Sequence, residues 1–343
     1  MKRYLVLAES HSADPHHGKT ARGVIRYGAD PVVAILDSER AGETHDGIPI
    51  VGRVADALCF APTTALVGVA TTGGQLPPAW REIVRFAMSN GLDVESGMHE
   101  FLGDDPELAE HARRHRVEIR DLRRPPADLG VATGANLTHT ASVVLSVGSD
   151  CAIGKMSVTL ELDREARARG LSSVFVPTGQ TGIAIAGWGI AVDAVVADFI
   201  SGAAERLVVE GAGRGDLLWV EGQGSLIHPQ YSGVTLGLYH GSAPHALVLC
   251  HRAGDLHLEG LPDHPIPALA DLVDLHERLA LPARPAKVVA IALNTASLDD
   301  ESARRAISDA ESETGLVVDD VVRFGASRVL DVVAAAVAGI TLA

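Results

Sequence analysis

The sequence predicts an α/β protein of two domains, each built on a parallel sheet. Its 343 residues exceed what one ordinary core holds. Hydrophobic residues make up 47% of the chain and aromatic residues only 4%, and an aliphatic core of this kind suits layers of helix and sheet. Apolar runs of strand length alternate with helical segments in both halves, which is typical of βαβ units.

The first half begins with a short apolar strand at residues 4–8. "HGKTARGVIRYG" predicts a helix that ends at Gly28, and "PVVAILD" and "TTALVGVATTGG" predict the next strands. "PPAWREIVRFAMSNG" has proline at a helix start and Gly91 at its end. "LDVESGMHEFL" and "VEIRDLRRPP" complete this half. "RRPPADLGVATGANLTHTA" is rich in Pro, Gly and Thr, so we predict a first domain at residues 1–135 and a second at 136–343.

The second half repeats the same order of elements. "ASVVLSVG", "SSVFVPTG", "DLLWVEGQG", "HALVLCH" and "AKVVAIALN" predict strands. "KMSVTLELDREARARG" and "DAVVADFISGAAERLV" predict helices, and another helix begins at about Asp299. The late run "VLDVVAAAVAGITLA" has the length of a docked terminal helix.

Charge and cysteine content exclude several classes of protein. The chain carries 29 basic and 44 acidic residues, a net charge of −15, which disfavours a nucleic-acid partner. Cys59, Cys151 and Cys250 are scattered and form no CxxC pair, so neither a disulfide framework nor a cysteine zinc site is favoured. The N-terminus lacks a signal-peptide stretch, and no apolar run is long enough for a membrane span. A cytoplasmic protein is expected.

The motif "VVLSVGSDCAIGKMS" enters a glycine-rich turn from a strand and leaves it into a helix. Backbone N–H groups at such a helix start converge on an anion, and a lysine reaches the outer phosphates. Five residues separate the two glycines where the usual spacing is four, and Met156 stands where a hydroxyl normally helps to hold Mg²⁺. The predicted nucleotide- or cofactor-binding residues are Gly148, Ser149, Asp150, Cys151, Ala152, Ile153, Gly154, Lys155, Met156 and Ser157.

Cys151 could be a thiolate nucleophile near a helix N-terminus. No base lies beside it in the sequence, so we interpret it as a small loop residue. The loop resembles that of dethiobiotin synthetase and its P-loop relatives, which implies a P-loop NTPase-like second domain.

Two later strands end in residues that are expected beside a phosphate-binding loop of this kind. Glu221 ends an apolar strand in "LLWVEGQG", where a P-loop protein places its metal-facing acid, so Glu221 and Ser157 are the predicted metal ligands. Asn294 ends "VAIALN", and the dethiobiotin synthetase likeness implies that it contacts a nucleotide base. The alternatives are a glutamate and an asparagine in ordinary turns.

Polar loops at other strand ends predict a second-substrate site, because ligands bind outside the carboxyl ends of parallel strands. These loops are "PTGQTGIAIAG", "GSLIHPQYSGVTLGLYHGSAPH" and "LCHRAG". Histidines here could transfer protons, although a single loop histidine is more often only a polar surface residue. The predicted substrate-binding residues are Thr178, Gln180, Thr181, His228 and Arg252.

Longer strings resemble one family. "GSDCAIGKMSVTLEL", "PTGQTGI", "EGQGSLIHPQYSGVTLGLYHGSAPHALVLCHR" and "RPAKVVAIALNT" look like the D-glutamate N-acetyltransferase family, long described as a domain of unknown function. The resemblance covers both halves and implies a Rossmann-like first domain and a P-loop second domain. It also implies acetyl transfer from acetyl-CoA to the amino group of D-glutamate. With this reaction, Lys155, His240, Ser242 and His251 are the catalytic candidates, the last three as base or oxyanion donors near the loop.

Two other functions remain open at this point. An ATP-dependent ligase or kinase of the dethiobiotin synthetase type would use Lys155 on the γ-phosphate and Glu221 on Mg²⁺. A nucleotide-dependent switch shares the loop type and often dimerises, and we expect a homo-oligomer. Met156 disfavours Mg–ATP chemistry, whereas Glu221 favours it. The predicted cofactors are acetyl-CoA, ATP or both, with Mg²⁺ in the ATP case, and the partner is a small amino-acid substrate.

Overall fold

The computed structural model describes residues 1–14, 18–69 and 74–337. The chain divides into two compact units. The first joins Met1–Pro125 to Gly179–Ala194, and the second joins Pro126–Thr178 to the chain from Val195 onward. Residues 179–194 therefore belong to the first unit although they follow the glycine-rich loop in the sequence. The domain boundary at residue 135 stays a prediction.

The first unit is a seven-stranded sheet with helices. Its strands are β1 (Tyr4–Leu7), β2 (Val32–Leu36), β3 (Thr44–His45), β4 (Ile48–Val51), β5 (Thr64–Val67), β6 (Asp93–Ser96) and β7 (Ile119–Asp121). Its helices are α1 (Lys19–Tyr27), α2 (Val54–Ala57), α3 (Pro78–Ser89), α4 (Pro106–His115) and α6 (Gln180–Ala186). The strand order is β3-β4-β2-β1-β5-β6-β7. β1 lies between β2 and β5, so the chain winds outward in both directions as in a Rossmann-like sheet.

One edge of this sheet is antiparallel, which the sequence analysis did not anticipate. β3 pairs with β4 antiparallel, while the other neighbouring strands pair parallel. Asp46 and Gly47 connect the two strands, with φ of 50° and 79°. This left-handed pair is what a tight two-residue hairpin requires, and Asp-Gly is its usual sequence.

The second unit contains a six-stranded parallel sheet in the order β15-β14-β11-β8-β10-β9. Its elements are β8 (Ser142–Gly148), α5 (Lys155–Ala168), β9 (Ser173–Val176), α7 (Ile200–Ala212), β10 (Leu217–Val220), α8 (Ser232–Ser242), β11 (Ala246–Arg252), the hairpin of β12 (His257–Leu258) and β13 (Leu261–Pro265), α9 (Leu269–Arg278), β14 (Lys287–Asn294), α10 (Asp300–Thr314), β15 (Val317–Asp319) and α11 (Ser327–Ala336).

The core of this unit explains why its central strands are so apolar. β8 is buried along its whole length, and Trp219 of β10 packs in one cluster with residues of α5 and α11. Strands covered on both faces read as continuous apolar runs. The α/β fold class predicted from the sequence is confirmed.

The helix predicted over "DAVVADFISGAAERLV" begins later than expected. Short 3-10 turns occupy Val192–Ala194 and Ala197–Phe199, and α7 starts only at Ile200. Val196 between the two turns has φ −55° and ψ 138°, which no helix continues through. This break in the helix coincides with the division between the two compact units, which falls between Ala194 and Val195.

Within residues 1–14, 18–69 and 74–337, no helix is both long and apolar enough to cross a membrane.

Candidate phosphate-binding site

The glycine-rich loop lies between the carboxyl end of β8 and the first turn of α5. Gly154, with φ of 111°, is the cap residue, and no side chain caps the helix. Ala152 has φ of 50°, an unusual conformation for a residue with a Cβ. The first N–H groups of a helix have no intrahelical acceptor, and the helix dipole there favours negative charge. The loop therefore has the backbone arrangement that phosphate-binding helix starts share, and its role as an anion site stays a prediction.

Lys155 is buried, and its position depends on two glycines. Its Nζ donates a hydrogen bond to the carbonyl oxygen of Asp150 at 2.6 Å. A Cβ on Gly148 would lie 3.2 Å from Nζ, and one on Gly222 would lie 3.1 Å from Cδ. The side chain therefore passes closely by both backbone positions, and the ammonium group is held inside the loop.

Glu221 follows β10 directly, on the strand beside β8. Its Oε2 accepts a hydrogen bond from the backbone N–H of Thr178 at 3.0 Å, and its backbone oxygen accepts one from the Thr178 hydroxyl at 2.6 Å. Because Gly222 borders the Lys155 side chain, Glu221 and Lys155 lie at the same edge of the sheet. The structure thus brings Thr178, Glu221 and the loop together, and their roles in binding substrate and metal stay predictions.

A cavity of about 370 Å³ opens beside the loop. Asn294 lies on its wall and donates from Nδ2 to the carbonyl oxygen of Ile153 at 3.0 Å, which connects the end of β14 to the loop. Ser157 lines the same cavity, whereas Met156 is buried. Asp320 and Arg323 also line this cavity.

Sequence analysis missed Asp320 and Arg323. Asp320 accepts from the backbone and the hydroxyl of Thr295, and Arg323 donates to the backbone oxygens of Thr295 and Leu298. An acidic pair directly after the apolar run "GLVVDD" was the signal, since this is another strand end.

β11 supports the loop from the other side. His251 Nδ1 lies 2.8 Å from the hydroxyl oxygen of Ser149, and Arg252 donates to the carbonyl oxygen of Ala152 at 3.0 Å. Burial lowers the pKa of His251, so its ring is neutral at neutral pH. Ser149 is fully buried and holds the ring in place.

Asp150, Cys151 and His228 place one ligand atom each within 4.8 Å of one another. Asp150 accepts hydrogen bonds from the backbone N–H groups of Cys151 and Glu259, both at 2.6 Å. The backbone N–H of Gln230 donates to Nδ1 of His228 at 3.2 Å, so the ring proton lies on Nε2, the nitrogen that faces Asp150. A histidine that binds a metal usually donates its other ring N–H instead. This tautomer makes the cluster a poor metal site.

His240 and Ser242 do not lie near the loop, and this expectation is corrected. Much of the segment predicted as a loop is instead the helix α8, Ser232–Ser242. This helix runs from the carboxyl end of β10 back to the start of β11, so its last turn lies at the opposite edge of the sheet. His240 Nε2 is 2.9 Å from the carbonyl oxygen of Leu279, and Ser242 is fully buried with its hydroxyl on the Tyr239 oxygen.

Gln180 and Thr181 belong to the first unit, not to the unit that holds the loop. Thr181 Oγ1 lies 2.8 Å from that of Thr20, and Gln180 Oε1 accepts a hydrogen bond from Arg123.

Fold and loop together define a two-domain α/β protein whose second domain is of the P-loop class. A family model described as "Domain of unknown function (DUF1611_C) P-loop domain" matches residues 130–330, and one described as "Domain of unknown function (DUF1611_N) Rossmann-like domain" matches residues 37–125. The chain belongs to the DUF1611 family, which carries both domains.

Two relatives share the name D-glutamate N-acetyltransferase. The protein from Tritonibacter scottomollicae is 41% identical over 275 residues, 79% of this chain and 81% of the relative. The protein from a Pseudoalteromonas species is 35% identical over 280 residues, 81% of this chain and 83% of the relative. A crystal structure of a DUF1611 family protein from Anabaena variabilis aligns with a TM-score of 0.92 at 41% identity, covering 97% of this chain and 99% of that one.

Proposed function

We propose that the protein transfers the acetyl group of acetyl-CoA to the amino group of D-glutamate. Two relatives with that name, each covering about four fifths of the chain, support the reaction. The observation that carries the coenzyme assignment is the uncapped first turn of α5 with Lys155 held inside the loop. Coenzyme A bears three phosphate groups, and such a helix start binds phosphate through backbone N–H groups.

The cavity beside the loop suits the adenine of the coenzyme. Its apolar wall includes Val158 and Val321, which could cover the faces of a flat ring, and Asn294 supplies polar atoms at one side. The buried Met156 provides no hydroxyl for Mg²⁺. A phosphate held only by Lys155 and backbone N–H groups needs no metal, which agrees with a coenzyme that binds without one.

Coenzyme A is long enough that its reacting thioester lies far from the loop when the loop holds its phosphates. The pantetheine arm spans on the order of 15 Å when it is extended, since it consists of a few amide-linked pieces. With phosphates in the loop, the thioester lies well away from His251. We therefore assign His251, through its contact with Ser149, to support of the loop and not to proton transfer.

A second candidate function is an ATP-dependent ligase or kinase. The buried Glu221 favours it, because an acid at this strand end is where a P-loop protein holds Mg²⁺. In that reaction Glu221 and Ser157 would hold the metal and Lys155 would bind the γ-phosphate. We also propose that the protein is a cytoplasmic homo-oligomer. Its three free cysteines support the cytoplasmic location, because reduced cysteines are typical of that compartment. They do not bear on the oligomeric state.

The assay is the release of free thiol from acetyl-CoA with and without D-glutamate, with the product identified by mass spectrometry. We expect thiol release that depends on D-glutamate, is unaffected by EDTA and yields an N-acetyl product. ADP formation from ATP with D-glutamate present would instead select the ligase or kinase.

The coenzyme site is tested with Lys155→Met. Loss of one charged hydrogen-bond donor is expected to raise the KM for acetyl-CoA by about 10- to 100-fold. The KM for D-glutamate should change little. Lys287→Met is the matched control, since Lys287 is exposed and pairs with Glu277. Equal KM values for acetyl-CoA in both variants would place the phosphates elsewhere.

A further inference from the structure

The first unit contains a buried arginine that the loop chemistry does not use. Arg123 follows β7, and its side chain is only 3% exposed. Nη1 donates to Gln180 Oε1 at 2.9 Å, and Nη2 pairs with the carboxylate of Asp193. Its Nε is buried and has no hydrogen-bond partner among the residues that the structure describes. A buried guanidinium with one unsatisfied nitrogen calls for an explanation.

This arginine lies where an open parallel sheet binds ligands. Arg123 comes just after β7 and His99 just after β6, so both follow the carboxyl ends of neighbouring strands. Gln180 stands at the first turn of α6, and its Cγ would lie 2.7 Å from a Cβ on Gly97. A Cβ on Gly74 would overlap the His99 ring. Two glycines thus make room for the side chains of this cluster.

The cluster combines side chains that can bind the carboxylate and the amine of an amino acid. A planar guanidinium matches a carboxylate with two parallel hydrogen bonds. The Asp193 side chain is 31% exposed, whereas the Arg123 side chain is buried. The carboxylate is therefore the member of this ion pair that a ligand can reach from solvent. Asp193 occupies the position on Arg123 that a substrate carboxylate would take, and once displaced it can accept a hydrogen bond from the substrate amine.

We propose that Arg123, Gln180, Asp193 and His99 form the site for the amino-acid acceptor, a dicarboxylic amino acid bound through a carboxylate on Arg123. This inference rests on the proposed function for the identity of the reaction, but the binding site can be tested without it.

His99 is the base of this site. It is exposed, so an amine can reach it. Partial burial and the charge of Arg123 lower the pKa of His99, and Asp193 opposes them, so the ring is neutral near pH 7. The substrate ammonium first loses one proton to water. The free amine then forms a bond to the acetyl carbon, His99 takes the second proton, and the carbon–sulfur bond breaks. The coenzyme leaves as a thiolate that takes up a proton.

The first test measures steady-state kinetics and D-glutamate binding by equilibrium dialysis. Arg123→Lys keeps the charge but loses the two-bond match, and Arg123→Gln with Asp193→Asn removes both charges so that none is left buried and unpaired. We expect each variant to raise the KM and the Kd for D-glutamate at least about tenfold, with the KM for acetyl-CoA nearly unchanged. Arg124→Gln is the control: this neighbouring arginine is more exposed and pairs with Asp104 and Asp121.

A further variant changes no charge, so that the proposal can still be tested if the arginine variants misfold. Gln180→Leu should raise the KM for D-glutamate several-fold even if the arginine variants do not fold. His99→Gln should lower kcat and remove the acidic limb of the kcat/KM profile, which lies below the ordinary histidine pKa. Unchanged D-glutamate binding in Gln180→Leu and in any folded Arg123 variant overturns the proposal. If the wild type binds D-glutamate by dialysis but transfers no acetyl group, the reaction is wrong and the site stands.

Discussion

Gly222 shows how one residue can set the geometry of the candidate site. A Cβ at this position would overlap the carbonyl oxygen of Ser146 on the neighbouring strand and press on the Lys155 side chain. The Gly222 N–H donates to the Ser146 hydroxyl at 2.9 Å, so the backbone cannot move away without losing that bond. The residue after Glu221 therefore has to be glycine for the acid and the lysine to share one edge of the sheet.

Replacement of Gly222 by alanine is expected to destabilise the protein and to weaken coenzyme binding together. Overpacking of a closed site lowers the free energy of unfolding by roughly 1–3 kcal/mol, which lowers Tm by several degrees in a protein of this size. Calorimetry with and without acetyl-CoA measures both effects. Gly233→Ala is the control, because a Cβ there meets nothing within 4 Å. Identical melting curves for the two variants would contradict the close packing of Gly222.

At the scale of elements, α4 illustrates a helix whose start is determined locally. Asp105 accepts hydrogen bonds from the N–H groups of Glu107 and Leu108, and Pro106 occupies the first helical position. The hydrogen bond and charge of Arg81 help to lower the pKa of Asp105. Cap and proline are both visible in "DDPELAEHARRH", so a start of this kind can be read directly from a sequence.

Removal of the cap should cost about 1 kcal/mol in Asp105→Ala. Asp105→Asn keeps the acceptor oxygen and loses only the charge that faces Arg81, so it should retain most of the stability. Urea unfolding curves of the two variants separate the cap from the ion pair. Glu110→Ala, on the exposed face of the same helix, is the control. Equal losses in Asp105→Ala and Asp105→Asn would assign the effect to the ion pair alone.

Whether a segment forms a helix or a strand could be predicted where the pattern lies within a short stretch of sequence. Contacts between residues far apart in the sequence could not be predicted. The strands and the loop follow from apolar runs and glycines, and Glu221, Thr178, His251 and Asn294 do meet the loop because strand ends share an edge. His240 and Ser242 were expected there because their segment was taken as a polar loop at a strand end; α8 instead carries them to the other edge. Gln180 was predicted to bind substrate, but its grouping with Arg123, His99 and Asp193 could not be foreseen, since the members are separated by up to 94 residues (from His99 to Asp193).

At the scale of the whole molecule, buried and half-buried histidines make stability depend on pH. Burial lowers the pKa of His245 to about 4, with further contributions from Arg284 and His139. Burial also lowers the pKa of His139 and His276. The unfolded chain binds protons at these rings near the ordinary value of 6.5, so it gains more protons than the folded chain as the pH falls. Stability is fully present above that value and is lost as the pH falls toward 4.

We expect the urea midpoint to decline between pH 6.5 and pH 4, and His245→Asn to reduce the decline. Asparagine keeps an acceptor for the Val143 N–H, which donates to Nδ1 of His245 at 2.9 Å, and it cannot be protonated. His257→Asn, at an exposed position in β12, serves as the control. A decline that is as steep in His245→Asn as in the wild type would exclude His245 as a source of the acid sensitivity.

The return of residues 179–194 to the first unit bears on how the protein can be divided. α6 contacts α1, and Thr20 and Arg123 form side-chain hydrogen bonds with residues of this segment. A fragment cut after Pro125 would lose these contacts and leave the buried Arg123 without its partners Gln180 and Asp193. The two halves therefore cannot be exchanged as independent cassettes: a chimera that takes its amino-terminal part from a relative must take the later stretch from the same donor.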